Sequence, residues 1–359
     1  VWIMAYTTID KPSDYFNTLL YTGDNSNRSF TGVGFQPDLT WIKARNNTTW
    51  HLLYDAVRTA GTGKELHSNS TAAEGASNSS LYGYLSSFDS DGFSTVNGSS
   101  SSDALNETGK TYAAWNWKAG TSFTNDASAT GIGTIDSTGS VNTDAGFSII
   151  SYTGNATTNA KVAHGLGVAP SMMIVKKRNG AFNWGIYHKT LTAHKLITFT
   201  TNAPDDDASY WNDVEPTSTV FNLGSGALTN GSGSTMIAYC FTPIQGYSKF
   251  GSYTGNGNAD GTFVYTGFKP AFVIIKRTDD SSDWVLLDNK RDSFNVVNTK
   301  LFSSNSDGDV TSQNACDFVS NGIKFRDSAT NAFATSVSGA TYIYMAFAEN
   351  PFVTSTGVP

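Results

Sequence analysis

The stretch Gly267–Trp284 has the sequence GFKPAFVIIKRTDDSSDW and sets the pattern for the chain. Its glycine and proline predict a break before a new strand, because glycine tolerates positive φ and proline fixes φ near about −65° and cannot donate to a sheet. The apolar run Phe272–Ile275 predicts that strand, and its lack of alternation indicates burial on both faces. Lys276 then predicts the point where the strand returns to solvent.

The same cassette occurs three times. In each copy a lysine lies six residues beyond the proline, and a tryptophan follows the lysine by seven or eight residues. A Tyr-Thr-Gly triplet precedes each copy, and an aromatic segment beginning with threonine follows it. Repeats of this length indicate tandem domains rather than solenoid units. The three copies are Gly34, Pro37, Lys43 and Trp50; Gly167, Pro170, Lys176 and Trp184; and Gly267, Pro270, Lys276 and Trp284.

We therefore predict an all-β protein with little helix, made of three tandem homologous β-sandwich modules of about 100 residues. Short runs rich in aromatic and β-branched residues between turn formers favour strands over helices. The predicted boundaries are a lead-in at 1–20, module 1 at 21–120, a Gly/Ser/Thr-rich linker at 121–145, module 2 at 146–246, module 3 at 247–352 and a tail at 353–359. The linker predicts free movement of modules 1 and 2, and the short junction after module 2 predicts rigid packing on module 3.

Trp50, Trp184 and Trp284 are predicted to be core anchors, each in its own module. In module 1 a short helix around Leu81–Leu85 is one interpretation of an irregular segment. The predicted strands of this module are Thr18–Tyr21, Leu39–Lys43, Trp50–Tyr54, Gly92–Val96 and Tyr112–Trp117.

The composition argues against several classes of partner. The chain has a net charge of −7, and 15% of its residues are charged, against a typical value of about 25%. It has no basic cluster that could neutralise a phosphate backbone, so we expect no nucleic-acid partner. Cys240 and Cys316 fall in different predicted modules, which suggests neither a disulfide nor a metal site. No apolar run reaches the roughly 20 residues that span a bilayer. Val1–Met4 lack the charged segment and the long apolar core of a signal peptide.

The three repeated lysines admit two interpretations. Since lysine is rarely buried, the favoured one is that each marks a solvated strand end. The alternative is an anion site repeated in every module.

The segment Ala203–Asp213 has no counterpart in the other copies. It combines a run of aspartates with Tyr210 and Trp211. Exposed aromatic rings stack on the apolar faces of sugars, and neighbouring carboxylates accept sugar hydroxyls. Tyr210 and Trp211 are therefore the predicted ligand contacts, while the simpler interpretation is that Trp211 packs this loop against its module.

No complete catalytic or cofactor pattern is present, and we expect a non-enzymatic protein without a cofactor. Gly61–Glu65 resembles the end of a phosphate loop but lacks its first glycine and its hydroxyl residue. The five histidines form no HExxH motif, and Asn305–Asp309 and Asp89–Gly92 are interpreted as hairpin turns rather than calcium loops. A glycosidase needs only two suitably placed carboxylates, and the acids near Tyr210 are the candidates for that alternative.

The chain resembles repeat-containing structural proteins of tailed phages of marine bacteria, of the tail-fibre, tailspike or head-decoration type. The resemblance rests on Met4–Thr18 (MAYTTIDKPSDYFNT), with further matches at 21–23, 32–38, 87–93, 111–120 and 340–349. It implies a virion protein that assembles in the host cytoplasm, associates with itself as a trimer and with other virion proteins, and contacts a host-surface glycan. The alternatives are a secreted array of carbohydrate-binding modules and a polysaccharide depolymerase.

Overall fold

A computed structural model describes residues 7–100, 104–311, 314–331 and 333–351. The protein is all-β, as predicted, with several antiparallel sheets. Its α-helices in these residues are single turns, and none is long and apolar enough to cross a membrane. The expectations for Val1–Ile3 and for the tail at 353–359 fall outside the described residues.

The first part of the chain forms two sheets. Sheet I has the strand order β1-β7-β3-β4, and a smaller sheet has the order β2-β6-β5. After a 3-10 helix at Pro12–Asp14, the elements are β1 Phe16–Thr22, β2 Arg28–Thr31, β3 Leu39–Ala44, β4 Leu52–Asp55, α1 Ser79–Tyr82, β5 Tyr84–Asp89, β6 Gly92–Val96 and β7 Thr111–Trp117.

The second part forms sheet II, with the order β13-β12-β17-β10-β9-β8, and the pairs β11-β16 and β14-β15. Its elements are β8 Thr121–Asn125, α2 Ala127–Thr130, β9 Ser137–Asn142, β10 Phe147–Thr153, β11 Ala160–Ala163, β12 Met172–Lys177, β13 Gly185–His188, β14 Lys195–Leu196, β15 Asp205–Asp206, α3 Ala208–Trp211, β16 Val220–Leu223, α4 Ala227–Asn230 and β17 Thr235–Phe241.

The third part forms sheet III, with the order β18-β25-β20-β21-β22, and a smaller sheet with the order β19-β24-β23. Its elements are β18 Ser248–Thr254, β19 Phe263–Tyr265, β20 Phe268–Arg277, β21 Trp284–Asp288, β22 Leu301–Phe302, β23 Cys316–Val319, β24 Gly322–Phe325 and β25 Thr341–Pro351.

Residues 121–145 do not form the predicted linker. Strands β8 and β9 lie here, and β9 pairs with β10 from Phe147 to Tyr152, so they extend sheet II at its edge. Gly139 shows why the small residues are needed, because a Cβ there would lie 1.9 Å from the carbonyl oxygen of Ile149. The low hydrophobicity of this segment reflects an exposed edge of a sheet rather than a mobile connector.

The three large sheets share one hydrophobic core. Their central strands are buried on both faces, and alternate residues point to the shared core and to a separate cluster under each smaller sheet. On β20, for example, Phe272 and Ile274 enter the shared core, whereas Val273 and Ile275 enter the local cluster. The expectation that modules 1 and 2 move independently is therefore wrong. The shared core includes Phe16, Trp41, Trp115, Trp117, Ile149, Ile174, Tyr239, Phe241, Phe272, Ile274, Met345 and Phe347.

Two of the three repeated tryptophans are core residues. Trp184 and Trp284 are each only 1% exposed and lie in the shared core rather than in separate module cores. Trp50 is 43% exposed, so the prediction for this residue was wrong. The strand register gives the reason: Lys276 pairs with Trp284, but continuing the β3–β4 register places His51, not Trp50, opposite Lys43.

Each large sheet contacts the next through the loop that follows β4 in sheet I, β13 in sheet II and β21 in sheet III. Trp184 Nε1 on sheet II donates to His67 O over 2.7 Å, and Trp284 Nε1 on sheet III donates to Thr198 O over 2.8 Å. We call these contacts seams I–II and II–III. The loop at seam I–II is residues 59–78, and the loop at seam II–III is residues 189–207. A third loop, residues 289–310, connects sheet III back to sheet I.

Seam III–I closes the ring on sheet I. Here Arg45 Nε lies 2.8 Å from Asp309 Oδ2, and Thr49 N donates to Ser306 O over 3.1 Å. The sheets therefore contact one another cyclically, the first with the second, the second with the third and the third with the first.

Partly buried ion pairs reinforce two seams. Glu74 lies 3.3 Å from Arg58, the residue just before its loop, and 2.5 Å from Arg178, which follows β12 of sheet II. Asp309 likewise pairs with Arg291 in its own loop, over 3.0 Å. The side chains of Arg58 and Arg291 are fully buried and also pair with the buried carboxylates of Asp55 and Asp288, each over 2.6 Å. Each arginine therefore connects the end of its own strand to the seam.

Hydrogen bonds across the shared core also link the sheets in pairs. These are Tyr239 Oη to Asp55 Oδ2 over 2.7 Å, Trp115 Nε1 to Asp288 Oδ2 over 3.1 Å, and His188 Nε2 to Tyr344 O over 3.3 Å.

Because the core is shared, we expect one cooperative unfolding transition in scanning calorimetry rather than separate transitions for three modules. Trp284→Ala should destabilise the whole transition by about 3–5 kcal/mol, since it removes a fully buried indole. Trp50→Ala is the control and should change stability by less than about 1 kcal/mol. Resolved separate transitions, or equal losses for the two variants, would contradict the shared core.

Candidate functional site

The repeated lysines are buried, which corrects the prediction of solvated strand ends. Lys43, Lys176 and Lys276 are all 0% exposed. Lys276 Nζ donates to Thr201 O over 2.9 Å and also to Ser282 O. Burial lowers the pKa of Lys276 from 10.5 to about 8, because the charged form loses its hydration.

Lys176 repeats this arrangement at seam I–II. Its Nζ donates to Thr71 O over 3.0 Å and to Phe182 O. Both lysines thus bind one carbonyl of their own turn and one carbonyl of the neighbouring loop. This is a contact between two segments of the same chain, in which backbone oxygens occupy the positions that an anion would need.

Lys43 differs from the other two. Its Nζ donates to Ala44 O over 2.7 Å and to Asn47 O over 3.1 Å, both in its own turn. Seam III–I therefore lacks the lysine contact with the neighbouring loop that the other seams have. The turn at Asn47 and the exposed Trp50 lie at this seam.

The predicted ligand contact at Trp211 is wrong, because this residue is only 1% exposed. Its indole packs edge-on against the ring of Tyr187, with centroids 6.0 Å apart. The simpler interpretation, in which Trp211 packs its loop against the rest of the fold, describes what the structure contains.

Tyr210 is half-buried and lines a pocket of about 370 Å³. Two of the neighbouring acids have partners within the fold. Asp207 Oδ1 accepts from Ser209 N at the start of α3, and Asp206 lies 3.0 Å from Lys195 Nζ. The remaining residues that line the pocket are Asn183, Leu196, Thr198, Asn202, Ala203, Asp205 and Leu228.

A second pocket, which we call the Trp50 pocket, was not predicted. It has a volume of about 360 Å³, within the range of small-molecule sites near its lower end. The indole of Trp50 packs against the imidazole of His67, with centroids 4.7 Å apart and planes at 57°. The lining residues are Asn47, Thr48, Thr49, Trp50, Ser77, Tyr82, Ala104 and Ser306.

The Trp50 pocket has both polar and apolar surface, and among the described residues its lining holds no acidic or basic side chain. His67 lies beneath it, and burial lowers the pKa of this imidazole to about 4, so the ring is neutral at pH 7. Ser77 Oγ lies 3.2 Å from His67 Nε2 and also faces the pocket. An aromatic surface surrounded by amides and hydroxyls suits an uncharged, hydroxyl-rich ligand.

The two pockets occupy corresponding places in the repeat. Trp50 precedes His51 and Asn183 precedes Trp184, and both His51 and Trp184 lie opposite a buried lysine. The spacing of the tryptophans indicates that Trp50 is not equivalent to Trp184. The tryptophan follows Lys43 by seven residues but follows the other lysines by eight.

The other groups considered from the sequence are structural where the chain is described. Burial lowers the pKa of His164 and of His188 to about 4. Cys240 and Cys316 are buried free thiols. Within the described residues no group of three His, Cys, Asp or Glu side chains is placed to hold a metal ion.

Comparison with known proteins identifies the family. Residues 11–351 match the model of DUF7483, a domain of unknown function, so the chain belongs to this family. No curated protein and no solved structure matches significantly.

We expect Lys276→Met to reduce stability by about 1–3 kcal/mol at neutral pH, because two buried carbonyls lose their donor. The loss should grow above pH 8. The pKa of Lys276 is about 8 in the folded protein and 10.5 when the side chain is exposed. Between these values the unfolded chain binds more protons than the folded one, so the stability of the wild type rises with pH.

Urea unfolding at neutral pH and above pH 8 measures both effects. Lys290→Met is the matched control, because Lys290 is exposed. A loss in Lys276→Met no larger than in the control would show that the seam contact has no energetic role.

Proposed function

We propose that this member of the DUF7483 family is a non-enzymatic structural protein of a phage virion, such as an appendage, fibre or decoration, with an adhesive role at the host surface. The observation that most supports this is the shared core, which joins residues from Ile9 to Phe347 in one continuous hydrophobic cluster. A particle that persists outside the cell needs such cooperative rigidity. The resemblance of Met4–Thr18 and its companion segments to phage structural proteins supports the same proposal.

The proposal includes the division into three homologous β-sandwich modules. The orders β1-β7-β3-β4, β10-β17-β12-β13 and β18-β25-β20-β21 are equivalent, and the repeated prolines lie two residues before equivalent register positions. Each large sheet is covered on its outer face by a smaller sheet. In this view β8 and β9 are an addition to the second module, and the cyclic seams arrange the modules with approximate threefold symmetry.

The non-enzymatic part of the proposal is supported by the carboxylates near Tyr210. Glu215 accepts hydrogen bonds from Ala193 N over 2.7 Å and from the hydroxyl of Tyr187. Asp213 lies 3.2 Å from His194. These acids hold the loop in place, which is a structural role.

A secreted array of carbohydrate-binding modules is the second candidate. The exposed ring of Trp50 in a pocket of amides and hydroxyls favours it. Both candidates bind glycans, but only the virion protein would copurify with phage particles.

Immunogold labelling of purified virions with an antibody against this chain tests the proposal. We expect gold at a defined virion position, with particles lacking the gene unlabelled. Absence of label on intact and on partly disrupted virions would reject the virion assignment, and export of the free protein would favour the second candidate.

We further propose assembly in the host cytoplasm and self-association as a trimer, as the resemblance implies. Light scattering of the purified chain at micromolar concentration should then give three times the mass of 38.4 kDa. A monomer at this concentration would reject an intrinsic trimer.

A further inference from the structure

We propose that the Trp50 pocket binds an uncharged sugar residue of a glycan, with one sugar ring stacked on the indole of Trp50. This inference rests on the adhesive role proposed above and assigns it to a site other than the Tyr210 loop.

The fold does not require a tryptophan at position 50. The equivalent residues, which precede Trp184 and Trp284, are Asn183 and Asp283. The buried position opposite the lysine is already filled by His51, whose Nδ1 accepts from Trp41 Nε1 over 2.9 Å. The indole of Trp50 is thus an addition at the surface, where 43% of the residue contacts solvent.

The ring is held in place by the protein. Packing on His67 supports the indole from within, so a ligand would meet a surface that is already ordered. Asn47, Ser77, Tyr82 and Ser306 supply amide and hydroxyl groups around it. Sugars need this combination, because each pyranose has an apolar C–H face and an edge of hydroxyls.

Charge selects among sugars. No lining residue in the described part of the chain is ionised. Asp307, which follows Ser306, is an exposed acid, and two other charged residues near Asn47 are engaged within the fold. Lys43 Nζ donates to carbonyls of its own turn, and Glu107 accepts from Asn47 Nδ2 over 3.2 Å and lies 3.9 Å from Lys110. An acidic sugar would lose hydration here without gaining a counter-charge, so neutral hexoses are favoured over sialic or uronic acids.

The site spans two parts of the chain. Ser306 belongs to the loop after β21, whereas Asn47 and Trp50 lie between β3 and β4. Thr49 N donates to Ser306 O over 3.1 Å and fixes the relation of the two walls. The wall that Ser306 provides is therefore in place only when seam III–I is closed.

A glycan array carrying neutral and acidic glycans, followed by titration with the best neutral oligosaccharide, tests the proposal. Trp50→Asn introduces the residue found at the equivalent position 183 and should preserve folding. It should weaken binding about tenfold or more, with an unchanged melting temperature. Phe294→Asn is the matched control, because Phe294 is an 85% exposed aromatic residue elsewhere, and it should bind as the wild type does.

Binding only to acidic glycans, no glycan binding, or neutral binding that survives Trp50→Asn would each overturn the site. Failure here is distinguishable from failure of the proposed function. Virions labelled by the antibody but without Trp50-dependent binding would retain the structural role and lose this site, whereas Trp50-dependent binding by an unlabelled, exported protein would do the reverse.

Discussion

The structure depends on the burial of three apolar sheet faces against one another. Alternate residues of β7, β17 and β25 point into the shared core, and none of these faces could stay in water without exposing a large aromatic surface. The small covering sheet buries only one face of each large sheet. The other face would stay exposed if the sheet were alone. Each sheet is therefore stabilised by burial against the other two. Because all three belong to one chain, their association is intramolecular.

Tryptophan and lysine fix the order in which the sheets meet. Burying an ammonium group is costly unless its donors are satisfied, and Lys176 and Lys276 find their acceptors partly on the neighbouring loop. Seam III–I departs from this rule, because Lys43 bonds only within its own turn. The lysine hydrogen bond to the neighbouring loop is missing at the seam where the Trp50 pocket lies.

The sequence was sufficient for features set by local patterns and insufficient for those set by distant neighbours. Predicted strands such as Gly92–Val96 and Leu39–Lys43 match β6 and β3 almost to the residue. The burial of Lys276 was missed because its acceptor, Thr201, is remote in sequence. Trp50 was misassigned because it was matched to Trp184 and Trp284 by residue type. By spacing, the equivalent residue eight positions beyond Lys43 is His51.

The bonds across the shared core differ in chemistry at one of three equivalent register positions. Asp55, Asp288 and His188 occupy the same register position at the ends of β4, β21 and β13. The two aspartates face donors on another sheet, Tyr239 and Trp115. Asp55 and Asp288 also pair with Arg58 and Arg291, each three residues further along the chain. Three residues after His188 lies Leu191, and the equivalent partner across the core is Met345, so an aspartate at position 188 would have neither a counter-charge nor a donor. Histidine instead donates to the carbonyl of Tyr344, and Nδ1 accepts from Thr190 N, which satisfies both ring nitrogens without a charge.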